Sequence, residues 1–270
     1  MTSLPPSSLP LLVIGVGRLG GAIVGGLLAA QALDPADLLL VDPAAGDVAS
    51  DAGERGAALN PGEADYARAR TVLLAIKPQD WRGKAAAVAP HLAPGAAVLS
   101  VLAGVRLGDL AEAFPGHPVA RVMPTTAVAV GKGAASLFSE QAEGVAAART
   151  LFAPIATVVE MPEEACLDAA TAVSGSAPAY LYAFVEALEA AGQSVGLSAD
   201  TSAALARSTI VGAAALMEQS PLPPAELRAQ GTSPGGTTQA ALDVLRPAFG
   251  PLLRDAVRAA AARSKELAAS

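Results

Sequence analysis

Leu11-Leu12-Val13-Ile14-Gly15-Val16-Gly17-Arg18-Leu19-Gly20 is the stretch that decides the fold. Four apolar residues of strand type run into a G-x-G-x-x-G pattern. Ala22, Ile23, Val24, Leu27 and Leu28 then continue with helical character. A second apolar run, Leu38-Leu39-Leu40-Val41, ends at Asp42, the roughly 20 residues past the last glycine that a dinucleotide-binding crossover specifies. In such a unit Gly15 permits the tight turn, Gly17 lets a pyrophosphate approach the backbone, and Gly20 lets helix and strand pack closely. Arg18 and Leu19 complete the phosphate-facing turn. Asp42 is placed to accept from the adenosine ribose 2′-hydroxyl. A carboxylate there opposes a 2′-phosphate, and Pro43-Ala44-Ala45 supply no arginine to attract one. The expected cofactor is therefore NADH or NADPH, with NADH favoured. The glycine pattern alone is weak in a chain rich in alanine and glycine; the flanking strand, helix and acid give it weight.

Outward from this unit, short apolar runs alternate with helical stretches. Strands are expected at 11–16, 38–42, 71–76, 97–101, 119–123, 134–138 and 157–159, and helices at 19–30, 84–91, 107–114 and 140–152. This alternation predicts a doubly wound, mostly parallel sheet of Rossmann type. After Met161-Pro162 the strand signal stops. Helices are expected at about 163–173, 178–195, 199–219, 237–247 and 251–267, punctuated by Gly175, Gly196, Pro221 to Pro224 and Pro234. The layout is thus a flexible leader at 1–10, a dinucleotide-binding domain at 11–160, and an all-helical substrate and dimerisation domain at 161–270.

Composition excludes several classes. The net charge is −7 with no basic block, which argues against sequence-independent nucleic-acid binding. No apolar stretch reaches the roughly 18 residues of a membrane span, and the first ten residues do not form a signal peptide. These features point to a cytoplasmic protein. The single cysteine, Cys166, allows neither an internal disulfide nor a cysteine-cluster metal site, and reads as a small core residue. His91 and His117 each neighbour a turn-forming residue and read as solvated loop positions, so no metal site is expected. Along 165–217, Leu205, Ile210, Val211, Leu216 and Met217 leave little polar surface. A helix apolar nearly all round is buried, so a second subunit is expected to cover it.

A second glycine motif lies at Thr232-Ser233-Pro234-Gly235-Gly236-Thr237-Thr238. Proline and paired glycines make a turn, and the threonines open an apolar-periodic run through Ala241, Leu242 and Leu245. Such a start offers unpaired N–H groups, hydroxyls and a positive dipole end, which suit an anion. A plain N-cap with a glycine-rich turn explains it equally well in isolation.

Together the motifs resemble the pyrroline-5-carboxylate reductase family over most of the chain. The resemblance rests on Gly15–Gly20, Ile76-Lys77-Pro78, Arg121-Val122-Met123-Pro124, the run from Ala172 to Tyr180, and Thr232–Thr238. It implies hydride transfer from NADH or NADPH to the imine carbon of 1-pyrroline-5-carboxylate, giving L-proline, the last step of proline biosynthesis. It places the substrate carboxylate on the N–H groups around Ser233, Gly235, Gly236 and Thr237, with the Thr238 hydroxyl against the ring nitrogen as the catalytic contact. Lys77 and Pro78 would close over the cofactor, and Ala103 and Gly104 would line its nicotinamide side. The resemblance also implies a homodimer, with dimers collecting into a ring-shaped decamer. Three positions depart from the family pattern, which usually reads Met-Pro-Asn-Thr-Pro at 123–127: Thr125 stands where asparagine is usual, Ala127 where proline is usual, and Ala177 where a second glycine is usual.

Two other readings remain. One is a reductase of the same build acting on another cyclic imine or a 3-hydroxy acid. The latter would be expected to carry a catalytic lysine early in the second domain, and residues 163–217 contain none. The other is a non-catalytic dinucleotide-binding relative, against which the intact Thr232–Thr238 segment counts.

Overall fold

The computed structural model describes residues 3–269. Eight strands form one sheet: β1 (Leu11–Ile14), β2 (Leu38–Val41), β3 (Ala58–Leu59), β4 (Thr71–Leu74), β5 (Ala97–Ser100), β6 (Val119–Pro124), β7 (Gly133–Phe138) and β8 (Ala156–Glu160). Their spatial order is β3-β2-β1-β4-β5-β6-β7-β8. All neighbours are parallel except β6 and β7, which pair antiparallel. The chain runs outward from β1 through β2 to β3, then returns to lay β4 on the other side of β1. This reversal makes the carboxyl ends of β1 and β4 the place where such sheets open a ligand crevice.

Helices α1 (Arg18–Ala29), α2 (Asp47–Glu54), α3 (Trp81–Val88), α4 (Leu107–Ala113) and α5 (Ala142–Phe152) connect the strands. Both faces of the sheet are covered, which explains why β1, β4 and β5 are buried at every residue. Leu11 and Val13 join Ile23, Leu27, Leu151 and Phe152 in the core on one face. Leu12 and Ile14 join Trp81, Val88, Leu110 and Phe114 on the other. Side-chain alternation along a strand makes this division. Trp81 packs in the core, and Arg82 lies over its ring while pairing with Asp109.

The helical part contains α6 (Cys166–Ala170), a π-helical turn at Thr171–Gly175, α7 (Ala177–Ser194), α8 (Ala199–Gln219), α9 (Pro224–Gln230) and α10 (Thr237–Ala269). Residues up to Gly175, with those from Ala261 onward, form one compact unit; Ser176–Ala260 form the other. Within the first unit Ser264 Oγ donates to the buried Asp168 carboxylate at 2.7 Å, which fixes the end of α10 beside α6.

Several features differ from the sequence reading. The leader is ordered from Ser3 to Pro10, while Met1 and Thr2 lie outside the described residues. Leu4 is buried and its N–H donates to Ala32 O at 2.7 Å. Ser8 O accepts from the Thr71 hydroxyl at 2.9 Å. Apolar contacts from Leu4 and Leu9 to the core hold a segment whose prolines already restrict it. The strand signal does end at 160, but the first compact unit continues to Gly175 because α6 packs against that unit. Two helices expected on either side of residues 248–250 are one helix, α10, with Pro247 and Pro251 inside it. Each proline removes its own backbone donor, and the Ala-, Leu- and Arg-rich turns around them carry the helix through. Cys166 is half-buried, since Ala165 and Ala169 beside it are exposed. Helices α2 and α9 and the two-residue strand β3 were not among the expected elements; none is longer than eight residues.

Candidate active site

The glycine turn lies at the carboxyl edge of the sheet in the first unit, and its geometry makes it the candidate coenzyme cradle. Gly15 leaves β1 with φ +95°, and its N–H donates to Val41 O at 2.8 Å. A side chain there would also stand 2.6 Å from the Ala75 carbonyl oxygen, so both conformation and space require glycine. Gly20 is buried against Gly15, and a Cβ on it would collide with the Gly15 carbonyl. Gly17 differs: it is exposed, it caps α1, and an added Cβ would meet nothing within 4 Å. Tight packing behind the turn and open space in front of it at Gly17 are what a pyrophosphate lying on a helix N-terminus requires. Arg18 is exposed at the first position of α1, and Leu19 is half-buried behind it.

Asp42 follows β2. One carboxylate oxygen accepts from Val16 N–H at 2.7 Å, and the other accepts from Ala44 N–H at 2.8 Å. The carboxylate therefore faces the glycine turn and is held there. A carboxylate has about four acceptor positions, so these two bonds leave capacity for hydroxyl donors. Asn60, just past β3, was not anticipated. Its side-chain amide makes both bonds to the Asp42 backbone: Asp42 N–H to Oδ1 at 2.9 Å, and Nδ2 to Asp42 O at 3.0 Å. The sequence signal for it was Asn60-Pro61, a turn pair at the end of a short strand.

Lys77 and Pro78 are exposed just beyond β4, and Ala103 and Gly104 follow β5 with Ala103 exposed. Strand order β2-β1-β4-β5 places the Asp42, Gly15–Gly20, Lys77-Pro78 and Ala103-Gly104 segments in sequence along one edge. Beyond them, Thr125 follows β6. Its Oγ1 accepts from Ala134 N–H at 3.1 Å and its own N–H donates to Ala134 O at 2.9 Å, so the threonine fastens this loop to β7.

An ion pair with a buried arginine ties β6 to the start of α4. Arg121 in β6 reaches Glu164 at 2.6 Å with only 5% of its side chain exposed. The same Glu164 oxygen accepts from Leu107 N–H, the first residue of α4, at 2.7 Å. Sequence reading included Arg121 in a motif without assigning it a partner, because Glu164 is distant in the chain.

In the second unit, Ser233–Thr238 form one turn. Gly235 has φ +70°, and Gly236 N–H donates to Ser233 O at 3.0 Å. The first bond of helical spacing at the start of α10 is Ala240 N–H to Gly236 O at 3.1 Å. The N–H groups of Thr237, Thr238 and Gln239 thus precede the ladder and have no intrahelical acceptor. Ser233, Gly235, Thr237 and Thr238 are exposed and Gly236 is half-buried. The Thr232 hydroxyl is spent on Arg228 O at 2.6 Å.

Among the described residues, the two histidines and Tyr66 are engaged in local contacts. His117 Nδ1 lies 2.9 Å from Ala96 O, and His91 lies 3.2 Å from Glu63 and edge-on to Tyr66. Burial, helped by the Glu63 charge, raises the Tyr66 phenol above its ordinary value. Among the described residues no group of three or more His, Cys, Asp or Glu is arranged to hold a metal ion. No helix among them is long and apolar enough to cross a membrane.

Two family models match the chain, one toward each end. Residues 10–104 match the family model described as NADP oxidoreductase coenzyme F420-dependent. Residues 164–267 match the model for pyrroline-5-carboxylate reductase dimerisation. A pyrroline-5-carboxylate reductase of Pseudomonas aeruginosa is 37% identical over 94% of this chain and 95% of its own length. One from Synechocystis is 36% identical over 96% of this chain and 98% of its own. Among solved structures, a pyrroline-5-carboxylate reductase from Coxiella burnetii superposes with a TM-score of 0.89 at 28% identity, covering 96% of this chain and 98% of that one. A Plasmodium falciparum pyrroline carboxylate reductase with NADP bound gives 0.81 at 26% identity, covering 97% and 99%. With a parallel-dominated nucleotide-binding sheet, a helical part that matches the dimerisation model, and relatives this similar along nearly their whole length, the chain belongs to the pyrroline-5-carboxylate reductase family.

Proposed function

We propose that this chain is a pyrroline-5-carboxylate reductase, reducing 1-pyrroline-5-carboxylate to L-proline with a reduced nicotinamide dinucleotide. The observation that carries the reading is the Ser233–Thr238 turn, which presents unpaired N–H groups and exposed hydroxyls at the start of α10. The coenzyme supplies the hydride, which adds to the imine carbon while the ring nitrogen keeps its proton. A protonated imine is already an electrophile, so the residues need only bind, orient and exclude water. Ser233, Gly235, Gly236 and Thr237 hold the substrate carboxylate, where N–H groups and the helix dipole favour negative charge. Thr238 places its hydroxyl at the ring nitrogen. Gly15, Gly17, Arg18, Leu19 and Gly20 take the coenzyme pyrophosphate. Asp42 takes the adenosine ribose, Lys77 and Pro78 cover the coenzyme, and Ala103 and Gly104 flank the nicotinamide.

NADH is the preferred donor in this reading, because the Asp42 carboxylate opposes a 2′-phosphate. Asp42→Ser should improve NADPH use relative to NADH, and a parent enzyme tenfold better with NADPH would refute the Asp42 argument alone. The working form is a homodimer, with dimers gathering into a decamer. Support for the dimer comes from the dimerisation-model match at 164–267 and from the exposed apolar side chains of α7, α8 and α10.

Coenzyme oxidation with pyrroline-5-carboxylate, run beside pyrroline-2-carboxylate and 3-hydroxy acids, tests the assignment. Turnover of pyrroline-5-carboxylate should dominate, and preference for either alternative would overturn it. Thr238→Ala should lower kcat/KM by roughly 10- to 100-fold, about 1.4 kcal/mol per tenfold, with little change in coenzyme affinity. Full activity in that variant would remove Thr238 from the mechanism.

A further inference from the structure

β3 contributes only two ladder positions: Leu39 pairs with Ala58 and Leu40 with Leu59. Asn60 N–H then donates to Leu40 O at 2.7 Å, and the strand ends. The next backbone groups on the β2 side, Asp42 N–H and Asp42 C=O, are met by the Asn60 side chain instead of by another strand residue. An amide side chain presents an acceptor and a donor side by side, matched to the N–H and C=O of one residue. Asn60 also has φ +46°, a left-handed conformation that asparagine tolerates better than other residues with side chains. From the clamped Asp42 backbone the connection continues through the carboxylate to Val16 N–H in the glycine turn.

We propose that Asn60 is a positioning residue for the adenosine end of the coenzyme site, acting through Asp42. By fixing the Asp42 backbone it sets where the carboxylate stands. The carboxylate in turn holds the turn that receives the pyrophosphate and presents its remaining lone pairs to the ribose. Discrimination between a ribose hydroxyl and a 2′-phosphate therefore depends on two residues, one of which does not need to touch the coenzyme to matter. This inference rests on the reading that Asp42 faces the adenosine ribose.

The test uses the full chain and two substitutions at Asn60. Asn60→Gly keeps the left-handed backbone and removes both side-chain bonds. Asn60→Asp keeps the acceptor, loses the donor and adds a like charge beside Asp42. Dissociation constants for NADH and NADPH, inhibition constants for ADP-ribose and nicotinamide mononucleotide, and the Tm of the coenzyme-free protein are measured for each. Asn60→Gly should weaken NADH and ADP-ribose by roughly 5- to 20-fold, the scale of one or two hydrogen bonds. It should leave nicotinamide mononucleotide and Tm nearly as in the parent, and narrow the gap between NADH and NADPH. In turnover the loss should fall on KM for NADH and not on kcat. Asn60→Asp should weaken NADH and ADP-ribose at least as much.

Unchanged NADH binding in Asn60→Gly would overturn the proposal. So would equal weakening of ADP-ribose and nicotinamide mononucleotide with a large fall in Tm, which is the signature of general loosening. Asp42→Asn separates this inference from the reading beneath it. If that variant binds NADH as the parent does, Asp42 is not at the ribose and both fall. If it weakens NADH while Asn60→Gly does not, only the role of Asn60 falls.

Discussion

In the first compact unit Leu12, Val13, Leu27, Phe114 and Phe152 are shut away from water. Among the described residues of 176–260, Ala206 is the single buried apolar side chain, while Val211, Val244 and Leu252 are each at least 70% exposed. The two regions have similarly apolar helices and opposite outcomes. A sheet covered on both faces lets each strand and helix bury its apolar side within one chain. Long helices joined by short turns have no such central layer. Of the described contacts in the second unit, the dominant one is α7 against α8, and the outward faces of both helices are left bare. A patch of this extent on a folded chain marks an interaction surface. The first unit buries its apolar side chains within one chain, whereas the second leaves them exposed, in keeping with its match to a dimerisation model.

The largest effect expected from this contrast is at Leu205, 54% exposed on α8. Leu205→Glu should abolish assembly and activity together, because a charge would be buried in the seam. Light scattering at low concentration decides it: a stable, fully active monomer, from the parent or the variant, would break the contrast.

Next is the ion pair inside the first unit. Arg121→Leu leaves Glu164, whose side chain is 24% exposed, without its charged partner and should cost about 2–4 kcal/mol, less than breaking a fully buried pair. Denaturant unfolding should show this loss in a transition that does not depend on protein concentration. If it shifts with concentration, the first unit is not self-sufficient.

A smaller loss is expected at Gly26 on α1, where a Cβ would collide with the Val128 carbonyl. Gly26→Ala should cost roughly 1–3 kcal/mol through forced separation of α1 and the 126–130 turn. Thermal unfolding of the coenzyme-free chain would measure it.

The smallest is at Ser198, whose Oγ caps α8 by accepting from Thr201 N–H at 3.2 Å. Ser198→Ala should cost about 1 kcal/mol. If folding of the second unit is linked to assembly, parent and variant should both lose stability as protein is diluted, by mass action, with the difference between them nearly constant. Stabilities of parent and variant that do not move with concentration would break the case for a coupled second unit.

The nucleotide-binding sheet was legible because its signals are local. β1, Gly15 to Gly20, α1, β2 and Asp42 lie within one short stretch, and strand-to-helix alternation repeats onward to β8. The Ser233–Thr238 turn was legible for the same reason, since Pro234, Gly235 and Gly236 punctuate it. Very short elements such as α2, β3 and α9 give too few positions for a pattern to stand out.

What the sequence by itself determined is the kind of each long element, the order of the strands along the chain, the two glycine motifs and the family they resemble. These follow from patterns within about 20 residues, where chain geometry alone brings groups together. Only the tertiary structure decided that Leu4 and Leu9 anchor the leader, that Glu164 serves both Arg121 and the start of α4, that α10 runs unbroken past two prolines and returns Ser264 to Asp168, and that Asn60 clamps Asp42. The contacts among these join residues from 18 to 96 positions apart. A side chain's partner at such distance is set by how strands and helices stack, and no local pattern of residues encodes it.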